Sequence, residues 1–534
     1  MSLLTIAVYF GVVVIYKAAV ALHRIDQPYL SPIHAEAWLA LAVNFSLVFN
    51  SLTTKSEPSS GNTANYSWRQ AVWPVALVAA LISLAYWRTL SNPLLSDDYL
   101  IVMSRRDWRW AGIVHQFRVP GGDGFFRPIT NLTLSATGLW AGPGNRPQLW
   151  RLVALALDCI NAILVYVFAL QLKLPRTAAI AAACIFSVHA AHPEAVAWIA
   201  GRFDLVSTLF VLLAVVLFKA AYQSHYFDLL IGLAALSMML AALSKEPGFI
   251  FPVLATLVAW HAGEKSKRVL LSLGIFYAVA AALFAYRWRV MGGIGGYVDL
   301  SGRPQALHFS LVRAFNILFL RIWTVLYFPI NWSVQPGVLL LVLLAVYIGA
   351  LLCLMRSRPS HRDILLGVGL VVATTLVPLH LLVLNQDLQG TRMVYLTSAA
   401  FSILVGVALA GLSPKVRSLC ALTIILFNFG ALTHNLAIWG TVSLRAQDAC
   451  KDAAALAGAS VSHVVVQQLP QSIDGVFFFA NGFPACVEAA AGRKIEVEVD
   501  RGAALPPSNN TLLLRWNRQL ERLECGETGA SGCK

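Results

Sequence analysis

The sequence predicts an all-α, polytopic membrane protein with a small soluble α/β or β domain at its C-terminal end, and three observations predict it. Of 534 residues, 58% are hydrophobic and only 12% charged, and the mean hydropathy is +0.68. A water-soluble fold has no interior large enough for that much apolar surface. The apolar residues form long runs separated by short basic loops, and after about residue 440 these give way to short stretches between Gly, Pro and Asn turns. The net charge of +14 invites a nucleic-acid reading. In a membrane chain, however, Lys and Arg collect in short loops and set orientation, so a lipid bilayer is the expected partner and nucleic acid is not.

Taken in order, the candidate spans are 3–22, 36–53, 71–90, 151–171, 177–190, 203–221, 227–243, 249–260, 268–287, 337–355, 364–384, 393–411 and 416–435, about thirteen in all. The first run has no basic residue before it, and Ala19-Val20-Ala21 only faintly resembles a cleavage site, so it is read as a retained helix. Residues 1–70 then hold two additional N-terminal helices. Residues 71–440 form a transmembrane module with outer loops 91–150, 189–202 and 288–336, and 441–534 form the C-terminal domain. Lys173 and Arg176, Lys265 to Arg268, Arg356 to Arg362, and Lys415 to Arg417 lie in loops that alternate consistently. Placing them in the cytoplasm puts the N-terminus inside and the C-terminus outside. It also gathers Asp97, His189–Asp204, Lys245, residues 288–336 and Arg392 on the outer side.

Within 288–336, the glycine-rich stretch Met291–Gly296 lacks the Lys and Ser/Thr of a P-loop, so no nucleotide site is expected. Ala306–Ile330 is apolar but carries His308, Arg313 and Arg321, and is read as lying along or dipping into the outer leaflet. Beyond residue 440, Val461–Gln468, Val476–Ala480, Lys494–Val499 and Thr511–Trp516 read as strands. Cys450, Cys486, Cys525 and Cys533 form an even set that suits an oxidising compartment, with three pairings open. Cys159, Cys184, Cys353 and Cys420 lie in apolar runs and read as core thiols.

Chemistry starts at Asp97-Asp98, two acids at a membrane exit. They can cap a helix, bind a cation, or act as a general base. Adjacent carboxylates raise one pKa and leave the other ionised, which favours the base, with Asp97 preferred. His189-Ala-Ala-His192-Pro-Glu194, with Arg202 and Asp204, crowds ionisable groups at a membrane surface. The two imidazoles share a helical face, so a metal is one reading; contacts to substrate and phosphate are favoured over it. The bland reading is a connector with a local Arg202–Asp204 ion pair. Lys245-Glu246, Arg392 and Tyr395 sit at helix ends, where snorkelling is the ordinary role. Arg127 lies in an outer loop that needs no cation for orientation. Several cations on the side where cations are usually scarce point to an anionic ligand such as a lipid-linked phosphate.

Ser96-Asp-Asp-Tyr99, Phe126-Arg-Pro-Ile-Thr130 and Trp150-Arg-Leu…Asn161 resemble the opening of the GT-C membrane glycosyltransferases. The nearest form is the transmembrane, TPR-bearing O-mannosyltransferases and their bacterial relatives. Phe186-Ser-Val-His189-Ala-Ala-His192-Pro-Glu-Ala-Val196…Gly201-Arg202-Phe-Asp204, Ser244-Lys-Glu-Pro-Gly248 and Arg392-Met-Val-Tyr395-Leu resemble that family's later motifs. The resemblance covers about residues 90–410. It departs from the pattern at Ala190, where Pro is usual, at Thr391, where Glu is usual, and in having no TPR array.

The resemblance implies an inverting transferase taking a sugar from a polyprenyl-phosphate lipid donor to a glycan or protein acceptor. One of Asp97 and Asp98 would be the base, and Arg127, Arg202, Lys245 or Arg392 would hold the donor phosphate. It implies no required cofactor, a divalent metal being less favoured, and a place in a bacterial inner membrane. An oligosaccharide ligase or polymerase using a pyrophosphate-linked donor is the nearest alternative. A lipid-linked-sugar flippase would instead place its ionisable groups at mid-bilayer in repeated halves.

Overall fold

The computed structural model describes residues 36, 39–40, 42–44, 46–47, 50 and 68–525, apart from 105–109, 122–123, 142–145, 297–309, 381, 383–385, 460 and 501–510. The expected helix 3–22, His308 and Cys533 lie outside the described residues. Among the described residues six helices are long and apolar enough to cross a membrane: Val72–Ser91, Pro147–Gln171, Ile199–Ala221, Lys267–Met291, Thr391–Ala410 and Pro414–Ala457. Three shorter apolar helices, Arg176–Ser187, Phe227–Ala242 and Val338–Leu354, pack among them. The expected fold class is therefore present, a multi-pass helical membrane protein; the expected span 3–22 and half of 36–53 lie outside the described residues, so the count of thirteen is not matched span by span.

Local chemistry sets the helix boundaries. Proline occupies the first turn at Pro147, Pro252 and Pro414, where a missing N–H costs nothing. Gly263 (φ 70°) and Gly292 (φ 68°) take the left-handed conformation that ends the helices before them. Ser266 caps Lys267–Met291 by accepting from the Val269 N–H. Arg176–Ser187 is rich in alanine, and its Ala182 comes so near Gly406 that a Cβ there would sit at 3.1 Å. Small residues let membrane helices approach this closely.

Two hydrophobic cores result. One fills the helix bundle, where Phe218, Phe251 and Phe276 meet edge to face and Tyr347 stacks on Phe427 at 4.0 Å. The other joins Leu94, Leu95, Tyr99, Val102, Trp150 and Trp198 to the C-terminal segment. Pro414–Ala457 runs through both. Its 44 residues span about 66 Å at 1.5 Å per residue, well beyond a bilayer's hydrocarbon core. Hydropathy marks its end near residue 435, yet Trp439, Val442, Ala446, Cys450, Ala453 and Ala457 continue a buried stripe at helical spacing.

The C-terminal domain is a four-stranded sheet in the order β4-β1-β5-β6. Strand β1 (His463–Gln467) pairs in parallel with β4 (Glu496–Asp500) and β5 (Thr511–Asn517), and β6 (Arg522–Cys525) closes it antiparallel to β5. A short hairpin of β2 (Ser472–Ile473) and β3 (Val476–Phe477) stands apart from the sheet. The strand expected at Val476–Ala480 stops at Phe477, because Phe478 and Phe479 turn into the core. The disulfide Cys450–Cys486 ties the long helix to Phe483–Ala491, and Cys525 is also disulfide-bonded.

The segment expected along the outer leaflet turns inward instead. Leu311–Asn316 exposes Leu311 and Val312, a π-helical turn Ile317–Arg321 follows, and Ile322–Tyr327 is wholly buried. Tyr327 donates to Asn44 at 3.1 Å and accepts through its carbonyl from Tyr347. These partners pull the second half into the bundle.

Candidate functional site

The sequence-predicted charges gather where several helix ends meet. Asp204 lies in the first turn of Arg202–Ala221, and Lys245 lies just past Phe227–Ala242. The Lys245 ammonium donates to both Asp204 oxygens at 2.6 Å, and both residues are buried. Gly248 makes this approach feasible, since a Cβ there would meet the Ala241 carbonyl carbon at 2.2 Å. Next to the pair, Arg127 donates to Glu246 at 2.8 Å, and Arg287 reaches the other Glu246 oxygen at 3.0 Å. Arg392 lies 3.4 Å from Glu194, whose other oxygen accepts from the Gly390 N–H at 2.7 Å. Four cations (Arg127, Lys245, Arg287, Arg392) thus meet three carboxylates (Glu194, Asp204, Glu246), leaving one positive charge in excess.

The local environment sets the protonation of this cluster. Burial pushes the Glu246 carboxyl up, but Arg127 and Arg287 overcome it and hold it at about 2. Burial raises Glu194 to about 7, opposed by Arg392 and the Gly390 N–H. Burial also lowers the Lys245 ammonium, which the Asp204 carboxylate opposes.

Asp97 and Asp98 open the helix Asp97–Ser104 and divide their roles by exposure. Asp98 is buried, and accepts from the Ala200 N–H at 3.2 Å and the Leu95 N–H at 3.4 Å. Burial raises its carboxyl to about 7, against Arg151 and those two N–H groups, with Asp97 adding repulsion. Asp97 keeps partial exposure. Arg151 donates to the carbonyls of Asn92 and Pro93, and so fixes the turn that delivers both acids. Trp198 links this turn to the cations: its indole N–H donates to the Leu95 carbonyl at 3.1 Å, and the Arg392 guanidinium lies 4.8 Å from its ring centre.

A carboxyl raised above its ordinary value binds its proton more tightly folded than unfolded. Its contribution to stability is therefore fully present below its ordinary value, 3.8 for Asp98, and is lost as pH rises towards 7. Asp98→Asn is expected to flatten the pH dependence of Tm between about 4 and 7. Thermal unfolding in detergent across that range measures it, and an unchanged slope would show that Asp98 titrates near its ordinary value.

His189, His192 and Tyr395 form a second, deeper group. His189 Nε2 donates to the Leu326 carbonyl at 3.1 Å, and Nδ1 accepts from the Ala191 N–H. The Ser398 hydroxyl donates to the Tyr395 carbonyl, so His192 Nε2 is the donor in its 2.7 Å contact with Ser398. That leaves His192 Nδ1 facing Asp158 at 4.0 Å, and Tyr395 donates to the same carboxylate at 2.6 Å. Burial lowers His189 to about 4, and burial with His189 lowers His192 further, so both rings are neutral. Among the described residues, no three His, Cys, Asp or Glu side chains come together as metal ligands.

Arg202 is buried and serves a third purpose. It donates to the Thr137 hydroxyl and the Trp150 carbonyl, both at 2.7 Å, and pins Pro128–Ala141 to the start of Pro147–Gln171. The local pair with Asp204 that an ordinary connector would make does not form, because Lys245 takes that carboxylate. Arg287 and Asp158 escaped the sequence reading, and Arg151 entered it only as part of the Trp150-Arg-Leu motif, with no role of its own. Arg287 reads as an interfacial cation in the last turns of an apolar helix. Arg151 begins a span, and Asp158 is an acid inside one, a signal that by itself marks function.

No family profile matches the chain. Over 177 residues it is 37% identical to protein O-mannosyl-transferase Tmtc1 of Drosophila melanogaster, covering 30% of this chain and 19% of that protein. Over 418 residues it is 23% identical to protein O-mannosyl-transferase TMTC4 of Homo sapiens, covering 65% of this chain and 56% of that protein. The chain thus spans about half, or less, of the length of these curated relatives. Among solved structures, the Archaeoglobus fulgidus oligosaccharyltransferase gives a TM-score of 0.43 at 12% identity, covering 80% of this chain and 62% of that one. ArnT from Cupriavidus metallidurans gives 0.44 at 12% identity, covering 79% and 85%. By sequence, the chain resembles the TMTC protein O-mannosyl-transferases, the group to which its motifs pointed.

Proposed function

We propose that the protein is a membrane glycosyltransferase. It moves a sugar from a polyprenyl-phosphate donor to an acceptor hydroxyl, with inversion, at the extracytoplasmic face. One observation carries this reading: the turn that presents a partly exposed aspartate, Asp97, is joined at Leu95 through Trp198 to a cluster with an excess positive charge. A base beside an anion site is what glycosyl transfer from a lipid phosphate requires. The likeness to proteins named O-mannosyl-transferases supports the same class.

In this mechanism the Asp97 carboxylate takes the proton of the acceptor hydroxyl as its oxygen attacks the anomeric carbon. The bond from that carbon to the phosphate oxygen breaks on the opposite face, and the phosphate keeps the electron pair. Arg392 and Arg127, the cations with some exposure, neutralise the charge that develops there. Lys245 holds Asp204 and so fixes the ends of the helices that carry the site. Asp98 and Arg202 shape the surrounding turns.

The test separates Arg392 from Arg202. Arg392→Lys is expected to raise the apparent donor KM, and Arg392→Ala to raise it further, by roughly ten- to hundred-fold for a lost charge-assisted hydrogen bond. Folded yield stays near that of the wild type. Arg202→Lys is expected to lower Tm and leave the donor KM unchanged, because its bonds go to Thr137 and Trp150. If Arg392→Ala keeps its donor affinity, the phosphate is held elsewhere, with Arg127, Lys245, Arg313 and Arg321 next to examine.

A further inference from the structure

We infer that the C-terminal domain is part of the catalytic apparatus, its segment 474–482 positioning both the acceptor-side Asp97 and the donor-side Arg392. The inference rests on the reading above for what those two residues do; the contacts themselves do not.

The first contact is aromatic. Phe477, the last residue of β3, stacks on Trp198 with ring centres 5.4 Å apart and planes 22° apart. The Arg392 guanidinium carbon lies 4.8 Å from the Trp198 centre and 5.4 Å from that of Phe477. The guanidinium therefore rests against two rings, one from the membrane module and one from the C-terminal domain. Ring contacts hold a cation in place without using any of its N–H donors. Phe478 and Phe479, by contrast, are fully buried against Trp516 and Phe483, so Phe477 is the ring turned towards Arg392.

The second contact bears on the base. Ser96, at φ 48°, immediately precedes Asp97, and its hydroxyl donates to the Asn481 carbonyl at 3.3 Å. Gly482 (φ 80°) packs so tightly here that a Cβ would stand 2.2 Å from the Ser96 carbonyl oxygen. A third contact reaches the turn before Arg392. The Asp474 carbonyl accepts from Asn331 at 2.7 Å, and a Cβ on Gly475 (φ 80°) would meet the Asp387 carbonyl oxygen at 1.9 Å. Asp387 in turn accepts from the Gln389 N–H, beside Gly390 and Arg392. One short segment thus touches the turns that lead into both residues, with a left-handed glycine at each. Each glycine serves its own turn, yet a domain that merely hung from the long helix would press neither of them against Asp387 or Ser96.

The two ends of the segment should act on different kinetic quantities. Farnesyl phosphate serves as the binding probe and farnesyl-phosphate mannose as donor, with the full chain in detergent. Phe477→Ala is expected to weaken farnesyl phosphate binding and raise the donor KM roughly three- to thirty-fold, the range of a desolvated cation–π contact. Phe477→Tyr, which keeps the ring, should restore both. Gly482→Ala is expected to lower kcat by roughly 100-fold, as misplacing a reacting group does, with farnesyl phosphate binding unchanged. Ser96→Ala removes the hydroxyl link without adding bulk, and should lower kcat in the same direction if Gly482→Ala fails to fold. Asp97→Asn and Arg392→Ala run alongside. If those two leave activity and binding intact, or if the wild type neither binds nor turns over the probes, the functional reading falls. If they are impaired while the Phe477, Gly482 and Ser96 variants match the wild type, or change only Tm, the positioning role falls.

Discussion

Asp97→Asn is expected to lower turnover at least ~100-fold, the usual scale for loss of a general base. Tm and folded yield should stay near wild type, because a partly exposed carboxylate contributes little to folding. Asp98→Asn should behave differently. Both Asp98 oxygens accept from backbone N–H groups, and an amide presents a donor to one of them. Opposing two donors across a buried contact costs stability, roughly 1–3 kcal/mol for the unpaired group. Measuring turnover and thermal unfolding on both variants separates the two acids. Near-full turnover in Asp97→Asn, with the loss appearing only in Asp98→Asn, would move the base to Asp98.

The second large effect lies at Lys245 and Asp204. Their charges meet at 2.6 Å inside the bundle, where neither can be rehydrated if the other is removed. Lys245→Met should therefore destabilise the fold by ~3–5 kcal/mol, the cost of stranding one member of a buried pair. Removing both charges as Lys245→Met with Asp204→Leu should recover most of that loss, since an apolar pair needs no compensation. Denaturant unfolding in detergent reads the stability, and donor turnover reads the function. A single variant as stable as the wild type would mean that water reaches the pair.

Much of the fold was legible because a membrane imposes a simple rule. Runs such as 151–171 and 203–221 must be helical, as every backbone group has to be bonded within lipid. The continuation of Pro414–Ala457 was hidden, because hydropathy falls after Asn435 while the buried stripe goes on. The inward turn at Ile322–Tyr327 was hidden too, since its partners Asn44 and Tyr347 are remote in sequence. In the site, charge pattern alone drew attention to Asp97, Arg127, Glu194, Lys245 and Arg392. It did not assign partners: Asp204 chose Lys245 over its neighbour Arg202, and Glu246 chose Arg127 together with the unnoticed Arg287. Sequence spacing reports neighbours along one helix, whereas these pairs are made between helix ends.

The hydrophobic core shared by the turn around Asp97 and the C-terminal segment carries a consequence for how the protein is made. It closes Leu94, Leu95, Tyr99 and Val102 against Val464, Phe478, Phe479 and Leu514, which leave the ribosome hundreds of residues later. The turn around Asp97 therefore stays without its C-terminal packing partners while most of the helices are already being inserted. A nascent chain gains this part of its architecture only after residues 464–514 have been made and have folded back. A premature stop just after Ala457 would leave a chain that inserts and yet lacks the C-terminal support on which its Asp97 turn rests.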